Sequence, residues 1–300
     1  MKINLALAIV IMFIIQMPHL VEAEEPTFAP DSEIHLFELT LKDGQYRLKN
    51  GINITNNKDY DSQPYFTPQS NTVLFSSSRD GKQTDVYEYE LNTKKTTQLT
   101  HTPHSEFSPK SIGDTGNVSF VSEGFNPYQS VWQLDVKSGK QSWLLNSKEP
   151  VGYYHLNDST GDVLFWSRYG WSVQYLNIKT NQNRFISGNA IPVSPQQVPN
   201  SNRFSFVHRQ TNGNVFIKAF DPKDFSITPI APIPGYNYDY GWAPNGDILR
   251  FDENKLSVLS AGDTGYMWKT GQDLSKLIKG KIGRLVVSND GKYIAVVESR

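Results

Sequence analysis

The sequence predicts an all-β protein, a six-bladed β-propeller in which the first and last strands of the chain share one blade. Short β runs rich in Val, Tyr and Phe alternate with turns rich in Gly, Asn, Asp and Pro along nearly the whole chain. The runs group in fours, with a period of about 40–45 residues, which is the size of one propeller blade. The two ends of the chain carry complementary half units.

The clearest unit runs from Tyr60 to Thr100. Its third run alternates side chains between two faces, with Tyr87 and Tyr89 on one side and Glu88 and Glu90 on the other. Alternation with period two is typical of a half-buried strand. The four runs predicted in this unit cover residues 63–67, 72–77, 85–91 and 96–99.

Four more complete units follow this one. They are predicted to begin at His101, Val151, Gln196 and Tyr240. The N-terminal half unit has runs 33–40 and 45–49, and the C-terminal half unit has runs 284–287 and 293–298. Sharing one blade between the ends would close the ring and remove free sheet edges, which otherwise pair with other chains.

The N-terminus has the features of a secretory signal peptide over residues 1–23. Lys2 precedes an apolar run from Leu5 to Ile15, and small or modest residues precede a cleavage site after Ala23. An uncleaved membrane anchor is the alternative, but the apolar run is short for a bilayer span. We therefore predict a signal peptide (1–23), a mobile polar leader (24–32) and one propeller domain (33–300).

Composition excludes several classes of function. The chain contains no cysteine, so thiol nucleophiles, thiolate metal sites and disulfides are ruled out. The formal net charge is −1, so no nucleic acid partner is expected. We expect no stable membrane span after signal cleavage, a location in the periplasm or outside the cell, and a monomer.

Several motifs resemble the repeat of TolB-type β-propellers. The resemblance is strong in Tyr65-Phe66-Thr67-Pro68, in residues 74–81 (LFSSSRDG) and in Asp85-Val86-Tyr87, and weaker in later units. The segments 101–109, 150–155 and 284–297 also resemble a group of exported single-domain TolB-like proteins without an assigned activity. This resemblance implies a six-bladed propeller in the cell envelope. It does not imply the role of TolB in the Tol system, because residues 24–32 are too short for the N-terminal α/β domain of TolB.

Aligning the six units predicts a ligand site. In a propeller the first strand of each blade is innermost, and polar residues cluster near the start of these strands. Loops and strand ends of a rigid scaffold commonly carry binding groups. The alternative is that these side chains only form hydrogen bonds with the neighbouring backbone or with water. The predicted ligand-binding residues at the mouth of the central channel are His104, Glu106, Tyr153, His155, Asp239 and Arg284.

No linear catalytic signature is present: there is no G-x-S-x-G elbow, H-E-x-x-H, P-loop or G-x-G-x-x-G. His101 and His104 have H-x-x-H spacing, but Pro103 argues against a helix that would place them on one face. Asp59 and Asp61 lack the rest of a calcium loop. No cofactor is predicted, although Ca²⁺ or another divalent ion in the channel remains open.

These features favour an exported binding module that holds an envelope protein, a peptide or a small molecule at the channel mouth. The alternative is a hydrolase or lyase at the same place, acting on an ester, lactone or sugar, with or without a metal. A third interpretation is a scaffold that binds through the sides of its blades.

Four aromatic residues could form a surface that stacks on a ligand, or could belong to the core between blades: Trp166, Tyr169, Trp171 and Tyr175.

Overall fold

A computed structural model describes residues 30–124 and 128–300 of the chain. In these ranges 24 strands form six four-stranded antiparallel sheets, and no helix is present. The prediction of an all-β, six-bladed propeller is confirmed. The predicted signal peptide and the leader up to residue 29 lie outside the described residues, and the first strand begins at Ser32, one residue before the predicted domain boundary.

The first five blades run from an inner strand to an outer strand in chain order. The first blade consists of β3 (Asp61–Phe66), β4 (Thr72–Ser77), β5 (Asp85–Glu90) and β6 (Lys95–Gln98). The second consists of β7 (Ser105–Ile112), β8 (Asn117–Glu123), β9 (Ser130–Leu134) and β10 (Gln141–Leu145). The third consists of β11 (Val151–Asn157), β12 (Asp162–Ser167), β13 (Ser172–Asn177) and β14 (Asn183–Ser187).

The fourth and fifth blades have very short inner strands. The fourth consists of β15 (Gln196–Gln197), β16 (Phe204–Arg209), β17 (Val215–Phe220) and β18 (Ile227–Pro232). The fifth consists of β19 (Gly241–Trp242), β20 (Ile248–Asp252), β21 (Lys255–Leu259) and β22 (Lys269–Asp273).

The sixth blade closes the ring with strands from both ends of the described chain. Its order from inside to outside is β23 (Lys281–Val287), β24 (Tyr293–Ser299), β1 (Ser32–Lys42) and β2 (Gln45–Asn53). β1 and β24 are antiparallel neighbours, with Ile34 opposite Val297. Arg300 also donates a 2.7 Å hydrogen bond to the buried carboxylate of Glu33.

In the part of the chain that the structure describes, six apolar clusters hold the ring together, one between each pair of neighbouring blades. The alternation of side chains along each strand explains this arrangement, because successive residues face opposite neighbours. In β4, Leu74 packs toward the second blade, whereas Val73 and Phe75 pack toward the sixth. The core is therefore a ring of interfaces around a central channel, and the inner strands are left to line that channel.

Two inner strands carry a bulge at an equivalent point. The register of β3 shifts between Ser62 and Tyr65, and that of β7 shifts between Phe107 and Lys110. Gln63 and Ser108 adopt positive φ angles of 59° and 53° there, and each precedes a proline. Bulges redirect side chains and increase local twist. The Gln63 side-chain oxygen accepts a 2.6 Å hydrogen bond from the Ser108 N–H, which ties the two bulges together.

Candidate functional site

The inner strands of all six blades, with the segments next to them, converge on one cavity of about 420 Å³ in the channel. The lining extends to the turns that follow the inner strands, where Asn200, Pro244 and Asn289 are exposed. The polar and aromatic lining residues nearest the strand starts are Gln63, Tyr65, Ser108, Lys110, Tyr153, His155, Gln197, Asp239 and Arg284.

Four of the six residues predicted as ligand contacts line this cavity: Tyr153, His155, Asp239 and Arg284. Arg284 lies on β23, and Tyr153 lies on β11, on the opposite side of the six-bladed ring. Nη2 of Arg284 donates a 2.7 Å hydrogen bond to the Tyr153 hydroxyl, and the guanidinium carbon lies 5.0 Å from the centre of the Tyr153 ring. This contact spans the channel and forms part of the cavity wall.

Asp239 and Arg284 influence each other electrostatically. Burial disfavours the charged guanidinium, but Tyr153, Tyr60 and Asp239 outweigh burial and raise the pKa of Arg284. Burial raises the pKa of Asp239 to about 6, although Arg284 and the backbone N–H of Leu285 favour its ionised form. The Leu285 N–H donates to Oδ1 of Asp239 at 3.2 Å. Asp239 is the single carboxylate among the described lining residues.

Lys110 lies in an aromatic environment on the second blade. Its Nζ is 4.9 Å from the centre of the Tyr65 ring and 5.7 Å from that of Tyr154. Among the described residues it forms no ion pair. Burial lowers the pKa of Lys110 to about 8. Contact with aromatic faces is worth about 0.5–2 kcal/mol, whereas burial of an unpaired charge costs several kcal/mol, so the tyrosines do not fully compensate this ammonium group.

His155 is a neutral group of the cavity. Burial and the nearby charge of Lys110 lower the pKa of His155 to about 3, against the opposing effect of a hydrogen bond with Gln197. Its ring contacts Phe204 edge-on, with ring centres 6.0 Å apart. A neutral imidazole can donate from one nitrogen and accept at the other. At neutral pH the charged side chains of the lining are therefore Lys110, Arg284 and Asp239.

The other two predicted residues, His104 and Glu106, lie outside the cavity lining. The strand register explains why. In the second blade Lys110 pairs with Ser119, and in the first blade Tyr65 pairs with Leu74. Lys110 lies 45 positions after Tyr65, and Ser119 lies 45 positions after Leu74. The sequence alignment placed Glu106, four residues earlier, at this position. Ser108 and Lys110 therefore occupy the channel positions that the alignment assigned to His104 and Glu106.

Glu106 is fully buried between the first two blades, beside Asp85. The Thr100 hydroxyl lies 3.0 Å from Oε2 of Glu106 and 3.2 Å from Oδ1 of Asp85, and Thr102 donates to Oε1 of Glu106. Burial and the neighbouring Asp85 carboxylate raise the pKa of Glu106, and burial also raises that of Asp85. The two carboxyl groups therefore lie on either side of the Thr100 hydroxyl within a blade interface. The His104 ring packs against Gly124, where an added Cβ would lie 2.3 Å from it.

Other candidates from the sequence have clear positions. Trp166 and Tyr175 are buried in the core between the third and fourth blades, whereas Tyr169 and Trp171 are exposed. Within residues 30–124 and 128–300, no three His, Asp or Glu side chains are grouped so that they could hold a metal ion. In the same ranges no helix has the length and apolar character needed to cross a membrane.

Comparison with known proteins places the chain among propeller structures. No protein-family model matches the chain, and no curated protein matches it in sequence. A putative TolB from Agrobacterium tumefaciens is 14% identical, with a TM-score of 0.64 over 91% of this chain and 99% of that one. TolB from Acinetobacter baumannii is also 14% identical, with a TM-score of 0.56 over 91% of this chain. The chain spans 65% of the length of this second TolB.

An enzyme structure is similar to a comparable degree. An oligogalacturonate lyase in complex with manganese is 13% identical, with a TM-score of 0.54 over 91% of this chain and 92% of that one. Similarity at these identities establishes the fold and no more. The chain has the fold of a TolB-like six-bladed β-propeller, which agrees with the resemblance found in its repeat motifs.

Proposed function

We propose that this protein is a binding module of the cell envelope that holds a peptide, a protein segment or a small molecule in its central cavity. The observation that carries the proposal is the convergence of all six blades on one cavity of about 420 Å³. Cavities of this size with a few well-placed polar groups commonly bind small ligands or single side chains. The proposal of export is based on the signal-like residues 1–23. The proposal of a monomer is based on the closed ring, in which no blade edge has to pair with another chain.

Several groups at the cavity remain available to a ligand. Within residues 30–124 and 128–300 the Lys110 ammonium group has no carboxylate partner, and His155 carries a neutral ring. Gln197 and Asn289 add amide groups. Each amide already donates one hydrogen bond, at 2.8 Å to the Ser201 carbonyl oxygen and at 3.3 Å to that of Pro68, and keeps a second N–H donor. Such groups could bind a flexible polar ligand without any metal or cofactor.

The experiment is a thermal-shift screen of residues 24–300 against short peptides, sugar acids and envelope extract fractions, followed by calorimetry. A ligand that binds only the folded state raises stability by about 2.7 kcal/mol at a hundred times its dissociation constant. Gln197→Leu should abolish binding of any hit. The matched control is Trp143→Ala, because Trp143 is exposed on the outer strand of the second blade. Loss of binding in W143A but not in Q197L would favour a scaffold that binds through its blade sides.

A hydrolase or lyase at the same cavity is the second candidate, favoured by one observation. A general base works best with a pKa near the working pH. Lys110, with a pKa of about 8, meets this condition, whereas His155, with a pKa of about 3, does not. The similarity to an oligogalacturonate lyase keeps this candidate open. Product formation from sugar acids or esters that disappears in Lys110→Met, with and without added Mn²⁺, would support an enzyme.

A further inference from the structure

Lys110 has an unusual position for a charged side chain of the inner ring. It follows the bulge of β7, and its ammonium group points between the rings of Tyr65 and Tyr154. No hydrogen bond to its Nζ occurs within the described residues, and no carboxylate forms an ion pair with it there. A protonated lysine has three donors and no acceptor, so these donors are available to a ligand in the cavity.

The charge distribution of the cavity defines the group that would satisfy Lys110. Among the described residues neither Arg284 nor Lys110 forms an ion pair, but Arg284 donates to the Tyr153 hydroxyl and is stabilised by the nearby Asp239. Lys110 has neither kind of support, so its positive charge is the one that a ligand would satisfy. A ligand group with a single negative charge would neutralise the ammonium group of Lys110. A phosphate group carries close to two charges at neutral pH and would meet one free cation and the Asp239 carboxylate. A carboxylate carries one charge and accepts hydrogen bonds at both oxygens.

We propose that the ligand of the central cavity carries a carboxylate, and that this carboxylate binds the ammonium group of Lys110. The inference rests on the proposed function, since it names the chemical class of ligand for the same cavity. The amide group of Gln63, on the neighbouring inner strand β3, and that of Gln197, on β15 two blades away, contact the uncharged remainder of the ligand.

The test uses pairs of probes that differ only in the acidic group. N-acetylglycine is compared with N-acetylglycinamide, and galacturonate is compared with galactose. The first pair tests whether the carboxylate belongs to a peptide-like ligand, and the second tests whether it belongs to a sugar acid. Binding to residues 24–300 is followed by calorimetry and by melting temperature at constant ionic strength, with chloride as the reference anion. The variant is Lys110→Met, which keeps the length of the side chain and removes the charge.

Lys218 provides a matched control. It is half-buried on β17, burial lowers its pKa, and it lies outside the cavity lining. We expect one acid to raise the melting temperature while its uncharged partner does not. We expect Lys110→Met to weaken binding of that acid about tenfold or more, because a charge-assisted hydrogen bond is lost, whereas Lys218→Met should bind normally.

A second readout uses the wild-type chain and does not depend on how the variant folds. The acid should slow the acetylation of Lys110 by acetic anhydride, measured by peptide mass spectrometry, and leave the acetylation of Lys218 unchanged. Equal binding of acid and uncharged partner, binding that persists in Lys110→Met, or no binding of either acid would each overturn the carboxylate inference. If binding persists in Lys110→Met but is lost in Gln197→Leu, the cavity remains the site and only the carboxylate inference fails.

Discussion

Arg284 of the closing blade and Tyr153 of the third blade are hydrogen bonded to each other across the central channel, with 2.7 Å between Nη2 and the hydroxyl oxygen. The two residues come from opposite sides of the ring and are 131 positions apart in the chain. The bond therefore links blades that share no apolar cluster. It makes the shape of the cavity depend on closure of the whole ring.

Replacing Tyr153 by phenylalanine should destabilise the protein. The ring would remain for the cation–π contact with Arg284, but the buried guanidinium would lose one acceptor. Hydrogen bonds to charged groups contribute about 1.5–3 kcal/mol, and we expect a decrease of this size in the free energy of unfolding measured with urea. Tyr169→Phe, in the same blade but exposed, is the control and should change little. Equal urea midpoints for Y153F and wild type would mean that the bond contributes nothing in solution.

The fold was predictable from the sequence because strand alternation and turn residues are local signals. Five of the six blades could also be aligned well enough to place channel residues such as Asp239 and Arg284. The second blade could not, because Phe107-Ser108-Pro109 resembles Phe66-Thr67-Pro68 in sequence while Pro109 occupies the position of Pro64. The available signal was a spacing of 45 residues between the first two blades, which relates Pro64 to Pro109 and Tyr65 to Lys110.

Local sequence also could not reveal contacts that depend on ring closure. The link between Tyr153 and Arg284 requires the relative positions of two distant strands, which no short motif encodes. The low pKa of His155 likewise depends on the assembled structure, because it results from burial and from the charge of Lys110 in the neighbouring blade. These properties arise from the assembled channel, and the sequence supplied only the types of residue.

The buried pair of Glu106 and Asp85 should make stability depend on pH. The pKa of Glu106 is raised in the folded protein from an ordinary value of 4.5, so the folded state keeps a proton that the unfolded state has released. Because the folded state then binds more protons, the free energy of unfolding should fall as the pH rises above about 4.5, and level off once Glu106 ionises in the folded protein.

The variant Glu106→Gln isolates this contribution. A glutamine cannot titrate, and its single oxygen can accept from one of the two hydroxyls, Thr100 or Thr102, while its amide nitrogen donates to the other. We expect the stability of E106Q, measured with urea between pH 4.5 and 8.5, to decline less with pH than that of the wild type. Asp239 and Asp61 titrate in both proteins, so the difference between the two curves belongs to Glu106 and its partner. Parallel curves would contradict the raised pKa.

Gly152 should be intolerant of even a methyl group. A Cβ at this position would lie 2.6 Å from the ring of Trp166, which is buried and whose centre is 5.7 Å from that of Tyr153. Overpacking of this kind costs about 1–3 kcal/mol, so Gly152→Ala should lower the melting temperature. Gly188→Ala is the control. Gly188 follows β14 in the same blade, and a Cβ there would lie 3.9 Å from its nearest neighbour, the ring of Phe185. Similar melting temperatures for both variants would show that Trp166 can move freely.

Closure of the ring should depend on β24 and much less on the residue that follows it. Deleting Arg300 removes its ion pair with the buried Glu33, but the arginine is half exposed, and the Thr55 hydroxyl and the Asn57 N–H still donate to the Glu33 carboxylate, so the cost should stay below the roughly 3–5 kcal/mol of a fully buried pair. Deleting residues 293–300 instead removes four buried aliphatic side chains, residues 294–297, and leaves β1 and β23 without their shared neighbour.

The expected results differ sharply between these two truncations. Removal of buried aliphatic side chains costs about 1–5 kcal/mol each, and four of them approach or exceed the 5–15 kcal/mol that stabilises a typical domain. We expect the chain ending at Lys292 to lose its cooperative thermal transition in calorimetry, and the chain ending at Ser299 to melt within a few degrees of the wild type. A cooperative transition in the shorter chain would show that five blades hold together without closure, because each of their interfaces has its own apolar cluster.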